Sequence, residues 1–448
     1  MTFFLIAFGV VGLLVLIALP AATTRRVALN MMWGALLLYP GAYAVLSGRA
    51  SYGTDSPTRE ALGPLSNAFH ALIVCACMLI LAGSRRSNRD EGLAALRRAV
   101  LTYLMTQALV IVVHASWFAV TGWLVVALVL GVMLLAPESA AKTEARVRWG
   151  LRLYVAASLV ALIANPEWAL VPEESTSRAL FGFRERLVGF TSSSNYLGLI
   201  SAILFALEMP AILRRRGTAI GWASVALGAC ALSQSRTPLI AIAMVIVLAA
   251  GYAVGLLKRD RPRSSALLVA LTVASLIPLV FLIYAPLSAR QVVNDITTGR
   301  VTIWETALSE FVASPVIGRG HSLFSQTYWE NSSVQGFYSN AHNQMLESAA
   351  RGGLLELLGL AIFLFGVLEM VKRSWPTEHG LTVLLLAVVM FSQLIVGTPL
   401  RTAGITWNLV QLAALLGIGA ASLAEATGGI NANTPQGVRG RRSGVRQL

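Results

Sequence analysis

The stretch YSNAHNQMLESAARGGLLELLGL, Tyr338–Leu360, opens with a histidine between asparagines and becomes a long apolar run. Read as structure, it is a polar loop feeding a helix that enters a membrane. Comparable apolar runs recur along the chain, each long enough (about 20 residues) to cross a bilayer as a helix. Hydrophobic residues make up 56% of the 448 residues and charged residues 12%. Soluble domains carry roughly 25% charged residues, which excludes a soluble protein. The runs are too long and too uniform for a β-barrel, whose strands alternate in short segments. The expected fold is therefore an all-α polytopic membrane protein. The first run, Phe3 to Pro20, lacks a charged leader and a small-residue cleavage site. It reads as a span rather than a removable signal.

Charge distribution sets the topology. Of the 35 Lys and Arg residues, 23 fall in seven clusters: Arg25–Arg26, Arg85–Arg98, Lys142–Arg148, Arg214–Arg216, Lys258–Arg263, Lys372–Arg373 and Arg439–Arg446. All three lysines are among them. The positive-inside rule puts these clusters in the cytoplasm. Two spans and one outward loop fit between each consecutive pair. About 11–13 spans result, with the C-terminus inside. The basic residues punctuate spans and do not gather on a soluble domain, so the net charge of +14 does not indicate nucleic acid. Cys75, Cys77 and Cys230 lie in apolar runs and offer neither a disulfide framework nor a zinc site. The segments read as N-terminal helices (1–185), helices bearing arginine motifs (186–285), a large outward loop (286–348), C-terminal helices (349–425) and a disordered basic tail (426–448).

Eleven arginines and no lysine remain on the outward side: Arg49, Arg59, Arg178, Arg184, Arg186, Arg236, Arg290, Arg300, Arg319, Arg351 and Arg401. Guanidinium presents a planar fork to phosphate and never loses its charge. As a set, these residues point to an anionic ligand such as a pyrophosphate. Taken singly, each is as readily explained by a local ion pair or a lipid headgroup.

In the outward loop, apolar residues at Val301, Trp304, Leu308, Phe311 and Val312 have helical spacing. They predict a short amphipathic helix along the membrane surface, with Thr298 as a possible cap and Ser314–Pro315 as its stop. Gly318 and Gly320 then permit a tight turn from which Arg319 and His321 project. A lone Gly-x-Gly without a preceding strand is no dinucleotide motif. In the next helix Asn343, Glu347 and Arg351 share one face.

Four stretches resemble the O-antigen ligase and polymerase superfamily of bacterial envelope enzymes: SQSRTPLIAIA (Ser233–Ala243), TGRVTIWETAL (Thr298–Leu308), ASPVIGRG (Ala313–Gly320) and AHNQMLESAARGGLLELLGL (Ala341–Leu360). RLVGFTSSSNYLGLI (Arg186–Ile200) resembles an upstream motif of the same group. The resemblance spans Arg186 to Leu360. It implies a GT-C-like fold and an inverting transfer of glycans from undecaprenyl diphosphate at the outer face of the bacterial inner membrane. No nucleotide sugar or cofactor is implied. The acceptor would be a lipid-linked glycan in a polymerase, or lipid A core in a ligase. Other partners would be membrane lipids and a polysaccharide chain-length regulator.

No Asp-x-Asp pair occurs in an outward loop, so metal independence is expected, with arginines stabilising the leaving diphosphate. Arg186, Arg236 and Arg300 are the first candidates, with Arg319 behind them. His342 is the candidate base, since imidazole titrates near neutrality. A helix-capping role is its bland alternative, and His321 is the rival base. Asn343 would orient the imidazole or a sugar. Glu347 either joins the substrate site or forms a salt bridge with Arg351. Trp304, Tyr328, Trp329, Phe337 and Tyr338 would stack on sugars or anchor in the headgroup layer. His70, His114 and His379 receive no chemistry. The competing class is a flippase or transporter, which would place charges deep in its spans. Here the spans read as nearly free of charge apart from Glu356.

Overall fold

The computed structural model describes residues 21–47, 62–84, 91–172, 185–255, 276–277, 289–290, 300–325, 328, 340–395, 397–400 and 404–427. The helices are α1 (Ala21–Leu46), α2 (Gly63–Ala82), α3 (Glu91–Val113), α4 (Val120–Leu135), α5 (Ala140–Ala164), α6 (Ser194–Leu213), α7 (Gly217–Ser233), α8 (Arg236–Ala253), α9 (Arg300–Ala313), α10 (Gln344–Ser374), α11 (Gly380–Leu394) and α12 (Trp407–Ala426). A single helical turn (Pro166–Ala169) leads into a two-stranded antiparallel ribbon, β1 (Leu170–Pro172) with β2 (Glu185–Leu187). Among the described residues, nine helices are long and apolar enough to cross a membrane, and α7 and α11 are shorter apolar helices. The expected all-α polytopic class is the observed one. The run Phe3–Pro20, the Thr298 cap, Arg49, Arg59, Arg178, Arg184, Arg401, Trp329, Phe337, Tyr338 and the tail from 428 lie outside the described residues.

The helices alternate direction, and their ends gather in two layers. One is the basic end. There Arg25 donates to Ala136 O and Pro137 O at the close of α4, and Arg97 donates to Leu134 O. Also there, the Ala140 amide donates to Glu425 at the end of α12. The other, the loop end, holds the Val113–Val120 turn, the ribbon, Ser233–Arg236, α9 and the start of α10. Among the described residues, the basic clusters at the starts of α1, α3 and α5 and at the ends of α6 and α10 share the basic end. The hairpin α3–α4 resolves into two separate spans.

Helices α12 and α11 fill the centre of the bundle, almost every residue buried. Around them, small residues let backbones approach closely, as in most membrane helix pairs. Along the α3–α10 seam, a side chain on Gly359 would strike Thr106 and one on Gly366 would strike Ala99.

One expectation fails. Arg152, in the middle of α5, belongs to neither set of basic residues. It donates twice to Glu208 of α6, at 2.7 and 2.8 Å, and Glu208 is 0% exposed. Arg148 pairs with Glu144, and His379 Nδ1 donates to the same carboxylate at 3.0 Å. The spans thus carry a paired charge network near the basic end, not Glu356 alone. Each charge has a partner, the condition under which burial is tolerated. The network ties α5 to α6 and to the α10–α11 turn.

Candidate functional site

Two groups of side chains lie at the loop end. The first is built on β2 and the starts of α6 and α8. Arg186 extends from β2; its Nε donates to Ser233 O at 3.0 Å and its terminal nitrogen to Asn195 Oδ1 at 3.2 Å. Ser235 Oγ donates to the same Asn195 oxygen at 3.0 Å. Gln234 turns the chain between α7 and α8 with φ 51°, and its amide donates to Glu185 O. Gly198 is required here, since a Cβ would come 2.8 Å from Ser235 Cβ. These contacts fix Arg236 as the first residue of α8, with its side chain exposed. A cation at a helix N-terminus sits on the unfavourable end of the macrodipole. Its charge adds to that of the free helix amides, which makes the spot attractive to an anion.

The second group is built on α9, the turn after it and the start of α10. Much of the apolar face of α9 is buried against protein, while Val312 at its end stays exposed. Val301, Ile303, Trp304 and Ala307 pack with Leu323, Phe324, Ala341, Leu346 and Ala350 into a small core of their own. Trp304 is 7% exposed, and its indole N–H donates to Ala341 O at 3.1 Å. Arg300 heads α9 and is half-buried.

The turn Ser314–Gly320 docks on a break in α10. At Gly353 the backbone leaves helical geometry (φ 62°, ψ −153°), a region essentially reserved for glycine. The break exposes main-chain groups on both sides, and the turn satisfies them. Arg319 N donates to Ala350 O at 2.9 Å and Gly320 N to Arg351 O at 2.8 Å. In return, Leu354 N donates to Pro315 O at 2.8 Å and Leu355 N to Val316 O at 3.1 Å. The fit is backbone on backbone. A Cβ on Gly353 would come 2.5 Å from Val316 O, and one on Gly318 2.3 Å from Arg351 O. His114, from the α3–α4 turn, supports the other side: its Nε2–H donates to Ile317 O at 3.1 Å, and Gly320 packs on its ring. Sequence reasoning gave His114 no role, and no local pattern would have supplied one.

Within this frame Asn343 is the N-cap of α10. Its Oδ1 accepts from Leu346 N at 3.0 Å and its Nδ2 donates to Ile395 O at 3.1 Å. Glu347 and Arg351 pair at 2.7 Å while only 2% and 3% exposed. Glu347 also accepts from Ala341 N at 2.6 Å, and Arg351 donates to Leu323 O at 3.1 Å. His342 stands just before the cap in a left-handed conformation (φ 50°), with its amide donating to Asn340 Oδ1. Burial, and then the positive charge of Arg300, pull its imidazole down to about 4. It is neutral at physiological pH. Arg319 is half-exposed and pairs with Glu310 at 2.8 Å. Tyr328 donates to the same carboxylate at 2.8 Å, and burial followed by that carboxylate raises its phenol. His321 lies in the turn, half-buried.

The two groups meet around α11, which packs against α6, α8 and α10 and whose C-terminal end holds Asn343. Among the described residues no cluster of three or more His, Cys, Asp or Glu has the arrangement of a metal site. The starts of α8, α9 and α10, each with a basic or imidazole side chain, open on the same end of the bundle. That arrangement suits a polyanion bound at headgroup level next to a neutral base.

Residues 221–364, from α7 into α10, match the family described as O-antigen ligase. This segment belongs to the O-antigen ligase/polymerase superfamily. No curated protein matches the chain. The superfamily match takes in Arg236, Arg300, the docked turn and His342, and stops short of Arg186 on its N-terminal side. Together with the nine long apolar helices among the described residues, the match supports a multi-pass membrane protein carrying an O-antigen ligase-like segment.

Proposed function

We propose that the chain is an inverting, metal-independent glycosyltransferase of the bacterial inner membrane that polymerises a surface polysaccharide. The donor would be a glycan on undecaprenyl diphosphate, and the acceptor a second lipid-linked glycan. The loop end would face outward and the basic end the cytoplasm, following the positive-inside rule. The placement of His342 just before the cap of α10, with Arg300 at the head of α9 near enough to bear on its charge, is the observation that carries this reading.

In the proposed step an acceptor hydroxyl attacks the anomeric carbon from the face opposite the diphosphate. The hydroxyl proton passes to an imidazole nitrogen of His342. The anomeric C–O bond breaks, and its electron pair leaves with the lipid diphosphate. Arg300, Arg236 and Arg186 hold that developing charge. Arg300 also sets the timing. With no diphosphate present it disfavours imidazolium, so His342 does not take a proton from water. Once the diphosphate sits between them, its negative charge offsets the repulsion and proton transfer becomes favourable. Asn343, Glu347 and Trp304 act as positioning residues: the first caps the helix that follows His342, and the other two bond to Ala341 beside it. Arg319 and His321 border the acceptor side. A ligase of the same superfamily would use the same groups with a different acceptor.

The test is a deletion strain carrying wild type or His342→Ala, with surface and lipid-linked glycans resolved by length. Collapse to single repeat units is expected. Full-length chains retained on the carrier would make the protein a ligase. An unchanged ladder in the deletion strain would overturn the glycan assignment.

A further inference from the structure

At the basic end, remote from the candidate site, α1 and α5 run side by side and then splay. They touch deep in the bundle, where Gly150 meets Leu37, Gly41 meets Tyr154, and Tyr154 donates to Leu38 O at 3.1 Å. Towards the basic end they part and leave a groove of about 380 Å³ lined by Asn30, Trp33, Gly34, Arg146, Trp149 and Gly150. Gly34 forms part of the floor: a Cβ there would meet nothing within 4 Å. The walls are otherwise largely apolar, and Trp149 is more than half exposed along them.

The mouth is positive. Arg146 pairs with Glu138, and Arg26 lies close enough to Arg146 to repel it. Arg25 spends its donors on the carbonyls that end α4, whereas its neighbour Arg26 is exposed and has no hydrogen bond or ion pair among the described residues. Lys142, also exposed, stands one turn before Arg146. Arg26 and Asn30 are four residues apart on α1, and Arg146 and Gly150 four apart on α5. The contacts of Gly150 with Leu37 and of Tyr154 with Leu38 set the Arg146 backbone about level with Trp33, deeper than Arg26. The Arg146 side chain reaches back to Glu138 and so towards the Arg26 level, which puts a cationic rim above the largely apolar walls. An amphiphile with a negative head and a hydrocarbon tail matches that layering, and basic pockets between membrane helices bind such headgroups.

We propose that this groove is a binding site for an anionic phospholipid. Arg26 and Arg146 hold its phosphate, Asn30 bonds the glycerol oxygens, and an acyl chain lies over Gly34 against Trp33 and Trp149. The site is independent of the glycan reaction.

The test uses the full chain in phosphatidylcholine nanodiscs. Rising fractions of lipid brominated on the acyl chain are added, as phosphatidylglycerol or as phosphatidylcholine. The Trp149 signal is the difference between wild type and Trp149→Phe. Brominated phosphatidylglycerol should half-quench it at about a tenfold lower fraction than brominated phosphatidylcholine, with on the order of fivefold of that preference lost in Arg26→Gln. Gly34→Leu, which fills the groove, should weaken quenching by both. Equal quenching by the two lipids, unchanged in Arg26→Gln, would reduce the groove to ordinary lipid contact and overturn the proposal. Absence of quenching by either lipid would mean that protein covers the groove, and would overturn it too.

Discussion

Replacing Gly353 with alanine tests the docked turn. The native φ and ψ at this position cost a residue with a Cβ about 1–3 kcal/mol. The new atom would also sit 2.5 Å from Val316 O, backbone that no rotamer can move aside. Relief requires the turn to lift off α10. That breaks the bonds from Leu354 N and Leu355 N, each contributing about 1 kcal/mol net. The docked arrangement should therefore lose about 3–5 kcal/mol, a shift of roughly a hundredfold to a few thousandfold in its population. The assay pairs the glycan ladder of the complemented deletion strain with thermal unfolding of the purified protein in detergent. Loss of long chains and a lowered melting temperature are expected. Gly228→Ala is the control: Gly228 lies inside α7 with open space around it, and alanine there should be neutral or stabilising by about 0.5–1 kcal/mol. A wild-type ladder and an unshifted melt in Gly353→Ala would refute the claim that the site depends on this break.

The buried pair at the start of α10 gives a second expectation. Glu347→Gln leaves Arg351 charged and unneutralised in a nearly dry setting and should cost about 3–5 kcal/mol in unfolding experiments, and a double-mutant cycle with Arg351→Met should return much of it as coupling. At the basic end, Glu208→Gln should destabilise by about the same amount, while Arg152→Met combined with Glu208→Leu should come close to wild type. His342 predicts a pH dependence. Between its ordinary 6.5 and about 4 the unfolded chain takes up a proton that the folded chain refuses. Its contribution to stability is therefore complete above 6.5 and is lost as pH falls towards 4. With His342 as the base, kcat/KM measured on a lipid-linked donor should show no inflection near 6.5, and Arg300→Gln should move the acid limb upward towards that value. Arg236→Lys should restore only part of the activity lost in Arg236→Gln, because an ammonium keeps the charge and loses the fork.

The spans were legible because burial in lipid imposes length and composition directly on the chain. The two-ended distribution of charge was legible for a similar reason. Ser314–Pro315 does end α9, and Gly318 and Gly320 do take positive φ, since those constraints are local. What the sequence hid is what depends on distant partners. The stripe on α9 reads equally well as a lipid-facing or a protein-facing surface, and only α10 decides. Gly352–Gly353 look like flexible residues at the mouth of a helix until the carbonyls of Pro315 and Val316 arrive to need them. Arg152 is a lone charge in an apolar run, and its sense lies 56 residues away, in Glu208. Arg236 and His342 drew notice through their motifs, whereas the lowered pKa of His342 follows first from its burial and then from Arg300, which approaches from another helix.

The small core around Trp304 and Phe324 is separate from the large apolar core of the bundle, and main-chain pairing at the α10 break joins the two. Main-chain hydrogen bonds are indifferent to side-chain identity. On the proposed function, residues that meet the sugars could therefore be exchanged over generations without repacking the helices below, and substitutions among those helices would not disturb the reaction above. Such a joint would let one membrane scaffold diversify the glycans it handles while its transbilayer packing stays constant.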